Sequence, residues 1–365
     1  MISRPGGRNE EQMKSTAKVV SIILPCRNAD PVLLGRAVDS VLAQTFAEYE
    51  LLILDDGSDE DFQESLRAEA AKDGRIRLIR QEPSGVSAAR NRGIREAEGE
   101  YITLLDADDT VSAWFLEEAV EAARKLKADF VIGGTCYIYD GQSMPVERGA
   151  EGLDPVKDAV LLSRERISKT RAECIGEPYR FDSRAYINRG IAARLVRREL
   201  LTEEFLFPEK LRIAEDASWN LTIECNFRGF YVPSLWYYYW ENGKSVSNRY
   251  NPGVIKDMED HLEVIRGQMD LSSDIEYRAF MDLMMDDLRY IYKCMVGNPQ
   301  WQAGAAKRKE VLDYLYTCPP WREMSDRRYR RLASPRNRWK AELYRLRLLF
   351  AFWSLRKRVY FEQRQ

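Results

Sequence analysis

At 365 residues and 45% hydrophobic composition, the chain can build one large domain or a core domain with an appended module, which excludes a disordered polypeptide. Its six cysteines (Cys26, Cys136, Cys174, Cys225, Cys294 and Cys318) lack C-x-x-C spacing, which fits reduced thiols rather than a disulfide framework or a structural metal, and its one histidine, His261, lies on an amphipathic stretch far from other candidate ligands. The net charge of −2 hides an asymmetry, because residues 327–365 hold 13 Lys+Arg against 2 Asp+Glu, leaving an acidic body ahead of a basic tail.

The first residues, MISRPGGRNEEQMKST, carry no apolar signal core and are expected to be a disordered segment over 1–17. No stretch approaches the ~18 apolar residues needed to span a bilayer, so a cytoplasmic location is expected. From residue 18 the pattern alternates strand and helix. VVSIILPCRN reads as a buried strand, DPVLLGRAVDSVLAQ as an amphipathic helix and YELLILDDGS as a strand; EDFQESLRAEAAKDG reads as a helix closed by Gly74. IRLIRQ, YITLLDADD and ADFVIGGTCYIY continue the strands, separated by the helices SGVSAARNRGIREAEG and SAWFLEEAVEAARKLK. Such alternation predicts an α/β fold with a mostly parallel sheet flanked by helices. Ligands of open sheets sit beyond the carboxyl ends of the strands, which puts PCRN, DDGS and DADD along one edge.

Residues 140–184 lack a clear period apart from a helix expected near 156–170, and read as a variable insertion. RGIAARLVRRELL resumes regular structure, AEDASWN opens a helix, and FYVPSLWYYYWENGKSVSN reads as a strand followed by a loop. From about 253 the chain is helical, broken near Pro299, Pro319, Pro320 and Pro335. In the tail, Trp339, Leu343, Leu346, Phe350 and Trp353 recur at spacings of four and three and would share one helical stripe among arginines. That stripe suits packing on this protein or a second subunit (a homo-oligomer), or the interface of an anionic membrane. Nucleic acid is excluded as a partner, because the acidic body lacks a broad basic face.

Several short motifs carry chemistry. In LLDADDT, Asp106 and Asp108 can both reach a hard cation such as Mg²⁺ or Mn²⁺; alternatively Asp109 or Ser112 caps a following helix. Asp56 in DDGS is either turn chemistry or an acceptor for the imide N–H of uracil. GVSAARNRG sets Gly85 and Ser87 at a helix start with Arg90 one turn inside, an arrangement that favours anions. It is neither a dinucleotide fingerprint nor a P-loop, which removes dehydrogenase and kinase readings. Glu215 and Asp216 are first-turn acids that serve either the helix dipole or a base.

In order and spacing, VSIILPCRN, AVDSVLAQTFAEYELLILDDGS, GVSAARNRGIREAEGEYITLLDADD, FPEKLRIAEDASWN and YYYWENGKSVS resemble the family 2 glycosyltransferases of GT-A fold, over about residues 18–250. The resemblance implies a GT-A domain at 18–252, with a nucleotide-sugar-binding half at 18–139, the insertion at 140–184 and an acceptor and catalytic-base half at 185–252. A helical module follows at 253–365, with the basic amphipathic tail at 336–365. It implies nucleotide contacts from Pro25, Arg27, Asn28 and Asp30, uracil recognition by Asp56, and nucleotide or diphosphate contact by Arg90. Asp106 would serve the sugar, ribose and metal, Asp108 the metal, with Asp109 an extra ligand; Asp216 would be the base and Glu215 its neighbour.

Many relatives carry Tyr or His followed by Arg after the aromatic strand. This chain has Tyr239-Trp240-Glu241, which leaves Trp240, Lys244 or Ser245 for the acceptor or diphosphate loop. Neither the Q-x-x-R-W motif nor the membrane helices of processive synthases are present in the sequence. The implied activity is inverting, metal-dependent hexosyl transfer from a UDP-sugar to a hydroxyl of a glycan or lipid-linked saccharide, forming a β-linkage during synthesis of cell-surface polysaccharide, lipopolysaccharide or capsule. A peripheral site at the cytoplasmic face of the inner membrane would suit a lipid-linked acceptor. A sugar nucleotidyltransferase should show an early Gly-rich stretch for a triphosphate, which IILPCRNADP does not supply, and the four acids Asp56, Asp106, Asp108 and Asp216 count against a non-catalytic sugar-binding protein.

Overall fold

The computed structural model describes residues 18–138, 154–162, 190–240, 250–333 and 335–362. Four strands open the chain: β1 (Val20–Cys26), β2 (Tyr49–Asp56), β3 (Ile76–Gln81) and β4 (Tyr101–Leu104). They pair in parallel in the spatial order β3-β2-β1-β4, joined by α1 (Pro31–Leu42), α2 (Glu60–Ala70) and α3 (Val86–Glu96). Every residue of β1 and β2 is buried, as expected of strands covered on both faces. The cover is close: a Cβ on Gly93 of α3 would lie 2.5 Å from Cγ2 of Ile23 in β1.

The sheet continues through β5 (Thr110–Val111), β6 (Phe130–Ile138), β7 (Val160–Leu162), β8 (Arg194–Arg197) and β9 (Gly229–Trp240), with α4 (Phe115–Lys125) between β5 and β6. Its full order is β3-β2-β1-β4-β8-β6-β9-β5, with β7 also on β9. β6 and β9 run parallel, whereas β8 pairs antiparallel with β4 and β6. The mostly parallel sheet inferred from the alternation is present. The helix expected near 156–170 is not what the described part of that range forms: Val160–Leu162 is a strand on β9, where Val160 and Leu161 are only partly covered. A three-residue apolar run has no period, so sheet pairing decided it.

α5 (Glu215–Asn226) precedes β9, and the α-helices after it among the described residues are α6 (Val254–Arg266), α7 (Asp274–Ile291), α8 (Ala305–Thr317), α9 (Arg327–Leu332), α10 (Pro335–Arg345) and α11 (Leu349–Glu362). They pack on their own apolar core, centred on Met281, Met284, Leu288, Leu315, Trp321 and Tyr344. Leu221 of α5 joins that core, and Gln268 donates to the Thr222 hydroxyl at 2.7 Å, so the helices are fastened to α5. His261 is buried there, 3.2 Å from Asp287, in a packing role.

The tail departs from a single stripe. Arg347, at φ 58°, breaks it into α10 and α11. Phe350 is buried in the helical core and Leu343 and Trp353 pack against it, while Trp339 and Leu346 face outward. Spacing assumed one continuous helix, and the break rotates the second half relative to the first. Among the described residues no helix is long and apolar enough to cross a membrane.

Candidate active site at the carboxyl edge of the sheet

The loops leaving β1 and β2 are tied together by hydrogen bonds. Asn28, in the left-handed region at φ 49°, donates from its amide nitrogen to Asp59 and accepts from the Asp59 backbone, both at 2.8 Å, while its own N–H donates to Ser58 Oγ at 3.0 Å. Its side chain thereby joins the β1 and β2 loops. Gly57 turns the second loop at φ 70°, where a Cβ would lie 2.4 Å from Pro83. Asp55, fully buried, accepts from the Ser58 N–H, Gln63 and Arg80. Burial alone would raise its pKa, but these hydrogen bonds outweigh it and hold the group ionised below its ordinary value.

Asp56 reaches forward to the next motif. Its Oδ1 accepts from the Ser84 N–H and Gln81, and its Oδ2 from the Gly85 N–H, each at 2.8 Å. The carboxylate of Asp56 thus sits on the amides of Ser84 and Gly85, just ahead of α3. Oδ2, with one donor, keeps acceptor capacity for a ligand. Asp30 caps α1 by accepting from the Val32 N–H at 3.0 Å; Pro25 is buried within β1, and Arg27 is exposed.

Arg90 sits at the centre. Its Nη2 donates to Asp106 at 3.1 Å and its Nη1 to Glu215 at 2.9 Å, joining the end of β4 to the start of α5. Burial would lower its pKa, but Asp106, Glu215 and Asp216 outweigh that and keep it cationic. The Arg90 side chain is 5% exposed and lies among the carboxylates, which it orients.

The acidic loop has its own support. Beneath it, Asp109 is 1% exposed and accepts from Tyr237 Oη at 2.7 Å and the Trp240 N–H at 2.9 Å. Burial, with repulsion from Asp106 and Asp108, pushes it up to about 8. Both its oxygens accept from the aromatic strand, so Asp109 anchors the loop. The helix-cap reading fails, because Thr110 and Val111 pair with β9 and α4 starts only at Phe115. Asp106 and Asp108 remain partly exposed.

Two participants were missed in the sequence. Arg36 of α1 donates from Nη2 to the Asp108 carbonyl at 2.8 Å and lies 3.8 Å over the Trp240 ring; burial lowers its pKa, partly offset by Asp109 and Asp108. Nothing in DPVLLGRAVDS separates this arginine from any polar residue on an amphipathic helix. Tyr237 sits inside WYYYW, where the aromatic run concealed one hydroxyl with a specific task.

Ala214, at φ 61°, turns the chain into α5 and sets Glu215 and Asp216 on its first turn. Burial pushes Asp216 up to about 6, Glu215 adds repulsion and Arg90 pulls back. A carboxyl with that affinity is ionised near neutrality and basic enough to accept a proton. Among the described residues no group of three or more His, Cys, Asp or Glu side chains is placed to hold a metal ion. Two carboxylates, Asp106 and Asp108, nonetheless fit a hard cation that completes its shell with waters and substrate phosphates. Lys244 and Ser245 lie outside the described residues.

Residues 21–195 match the family description Glycosyl transferase family 2. The glycosyltransferase EpsJ of Bacillus subtilis is 30% identical over 254 residues, spanning 67% of each protein. The chain belongs to glycosyltransferase family 2. GlyG of Streptococcus pneumoniae, also a glycosyltransferase, is 36% identical over 125 residues, 34% of this chain and 41% of GlyG. Among solved structures, Staphylococcus aureus TarS residues 1–349 in complex with UDP-GlcNAc superposes with a TM-score of 0.61 at 19% identity, covering 91% of this chain and 88% of that one. That likeness establishes the GT-A fold, helical region included, for this glycosyltransferase.

Proposed function

We propose that this glycosyltransferase moves a hexosyl group from a UDP-sugar to a hydroxyl of a glycan or lipid-linked saccharide, inverting the anomeric carbon. The observation that carries the reading is the Arg90 bridge, which brings Asp106, at the donor end of β4, to the same guanidinium as Glu215, the neighbour of Asp216. Donor contact and proton acceptance thus share one rigid support.

In this reading Asp56 Oδ2 accepts from the uracil imide, and Arg27 and Asn28 flank the nucleotide. Asp106 and Asp108 would hold Mg²⁺ or Mn²⁺, which when bound supplies positive charge beside the diphosphate. Asp216 removes the proton of the acceptor hydroxyl as its oxygen attacks the anomeric carbon from the face opposite UDP. The C–O bond to UDP breaks and its electron pair leaves with the β-phosphate oxygen. One displacement converts an α-linked donor sugar to a β-linkage without a covalent enzyme intermediate. The acceptor class fits assembly of cell-surface polysaccharide, lipopolysaccharide or capsule.

The test is a screen of UDP-sugars for UDP release with and without Mn²⁺ or Mg²⁺, run beside Asp108→Ala. One sugar should give metal-dependent release in the parent and none in the variant. Equal release by the variant would remove Asp108 from the donor site.

A further inference from the structure

α11 carries apolar side chains on two opposite faces. At 100° per residue, Leu349, Phe350 and Trp353 point one way, and they pack on the helical core. Phe352 and Leu355 point the other way, with Leu348 in the turn just before the helix; Leu348 is 49% and Leu355 62% exposed. On α10 and the turn after it, Trp339 and Leu346 occupy one side by the same geometry and are 40% and 52% exposed. The Trp339 ring meets Phe352 edge-on with centroids 5.1 Å apart, so the two outer stripes form one continuous patch at the corner between the helices. Five large apolar side chains gathered there exceed what scattered surface exposure explains.

The surrounding charge identifies the occupant. Arg338, Arg345, Arg347 and Arg356 are all exposed on the same two helices and their connecting turn. Residues 327–365 carry 13 Lys+Arg against 2 Asp+Glu, whereas the rest of the chain is acidic. A second copy of this chain docked corner to corner would bring the same positive charge against this one. An anionic bilayer answers both needs: Trp, Phe and Leu enter the headgroup boundary while arginines extend their heads to lipid phosphates.

We propose that the α10–α11 corner is a docking surface for an anionic lipid membrane, with Trp339, Leu346, Leu348, Phe352 and Leu355 inserted and the arginines on headgroups. The basis is independent of the proposed reaction. The corner lies in the helical region, and none of the partners described above for Asp56, Asp106, Asp109 or Glu215 comes from α10 or α11.

The experiment uses the full chain with vesicles of phosphatidylcholine alone and of phosphatidylcholine mixed with phosphatidylglycerol. Binding should be at least about tenfold tighter on the anionic vesicles and weaken with salt, since the arginines are drawn to negative headgroups and salt screens that attraction. The double variant Leu346→Glu/Leu355→Glu changes two exposed positions, so its thermal unfolding should match the parent while anionic-vesicle binding is lost. Lipids brominated in the acyl chain should quench tryptophan emission in the parent more than in Trp339→Phe. Equal affinity for both vesicle types, parent-like binding by the double variant, or a parent dimer that the variant renders monomeric would each overturn the proposal, the last by assigning the patch to a second copy.

Discussion

Beneath the acidic loop, the Tyr237 hydroxyl donates to Asp109 at 2.7 Å, joining the aromatic strand to the loop that carries Asp106 and Asp108. The same hydroxyl accepts from the Asp106 N–H at 3.3 Å. Tyr237→Phe removes both bonds without changing the ring. A buried carboxyl deprived of its donor costs about 1–3 kcal/mol. The urea midpoint should fall with an unchanged slope, and the metal concentration for half-maximal activity should rise. An unchanged midpoint would mean that the loop is held elsewhere.

Arg90 is the shared cation of Asp106 and Glu215, so its removal should disturb both at once. Arg90→Met leaves the acids facing one another; the loss should be a few kcal/mol, below the ~3–5 kcal/mol of a fully buried pair. Asp106, 37% exposed, recovers part of its hydration. Arg90→Lys keeps a charge but cannot span two carboxylates from one planar fork, and should retain stability better than activity. Denaturation and steady-state rates on both variants separate the two effects.

Arg36 supports the Asp108 carbonyl and covers Trp240. Arg36→Ala should lower kcat/KM for the donor by about tenfold, the sum of one hydrogen bond and one cation–π contact. The change should appear mainly in KM, since Asp216 is untouched. A change confined to kcat would place Arg36 in the reaction itself.

Burial pushes the Asp216 carboxyl up to about 6, so activity should fall as pH drops below that point, tenfold per unit at the low limb. Stability runs the other way. Folding raises this group's pKa, so the folded state gains most where the carboxyl is protonated, and that contribution fades as pH rises from about 4 to about 6. A kcat/KM profile and a stability profile over the same range would show the opposition. A profile flat from pH 5 to 8 would exclude a base of this affinity.

Much of this was legible in the sequence because strand runs such as VSIILPC and YELLILDD are buried on both faces and announce themselves by composition. The ends of those strands collect DDGS and DADD at one edge, as the topology of open sheets requires. Roles within DADD were not legible. Asp106, Asp108 and Asp109 differ only in what lies beside them, and Tyr237 and Trp240 arrive from 128 or more residues away. Arg90 read as an anion contact because helix starts attract anions; the contacts that bury it come from Asp106 and Glu215, the latter 125 residues distant. Val160–Leu162 read as helix because its pairing with β9 leaves no local trace.

The most direct test measures UDP binding and sugar transfer on one protein, Asp216→Asn, which keeps the shape of the side chain and removes its basicity. UDP should bind within about twofold of the parent, while transfer should fall by ~10²–10⁴, the range of general-base catalysis. Transfer at the parental rate would contradict the assignment of Asp216 and with it the proposed mechanism.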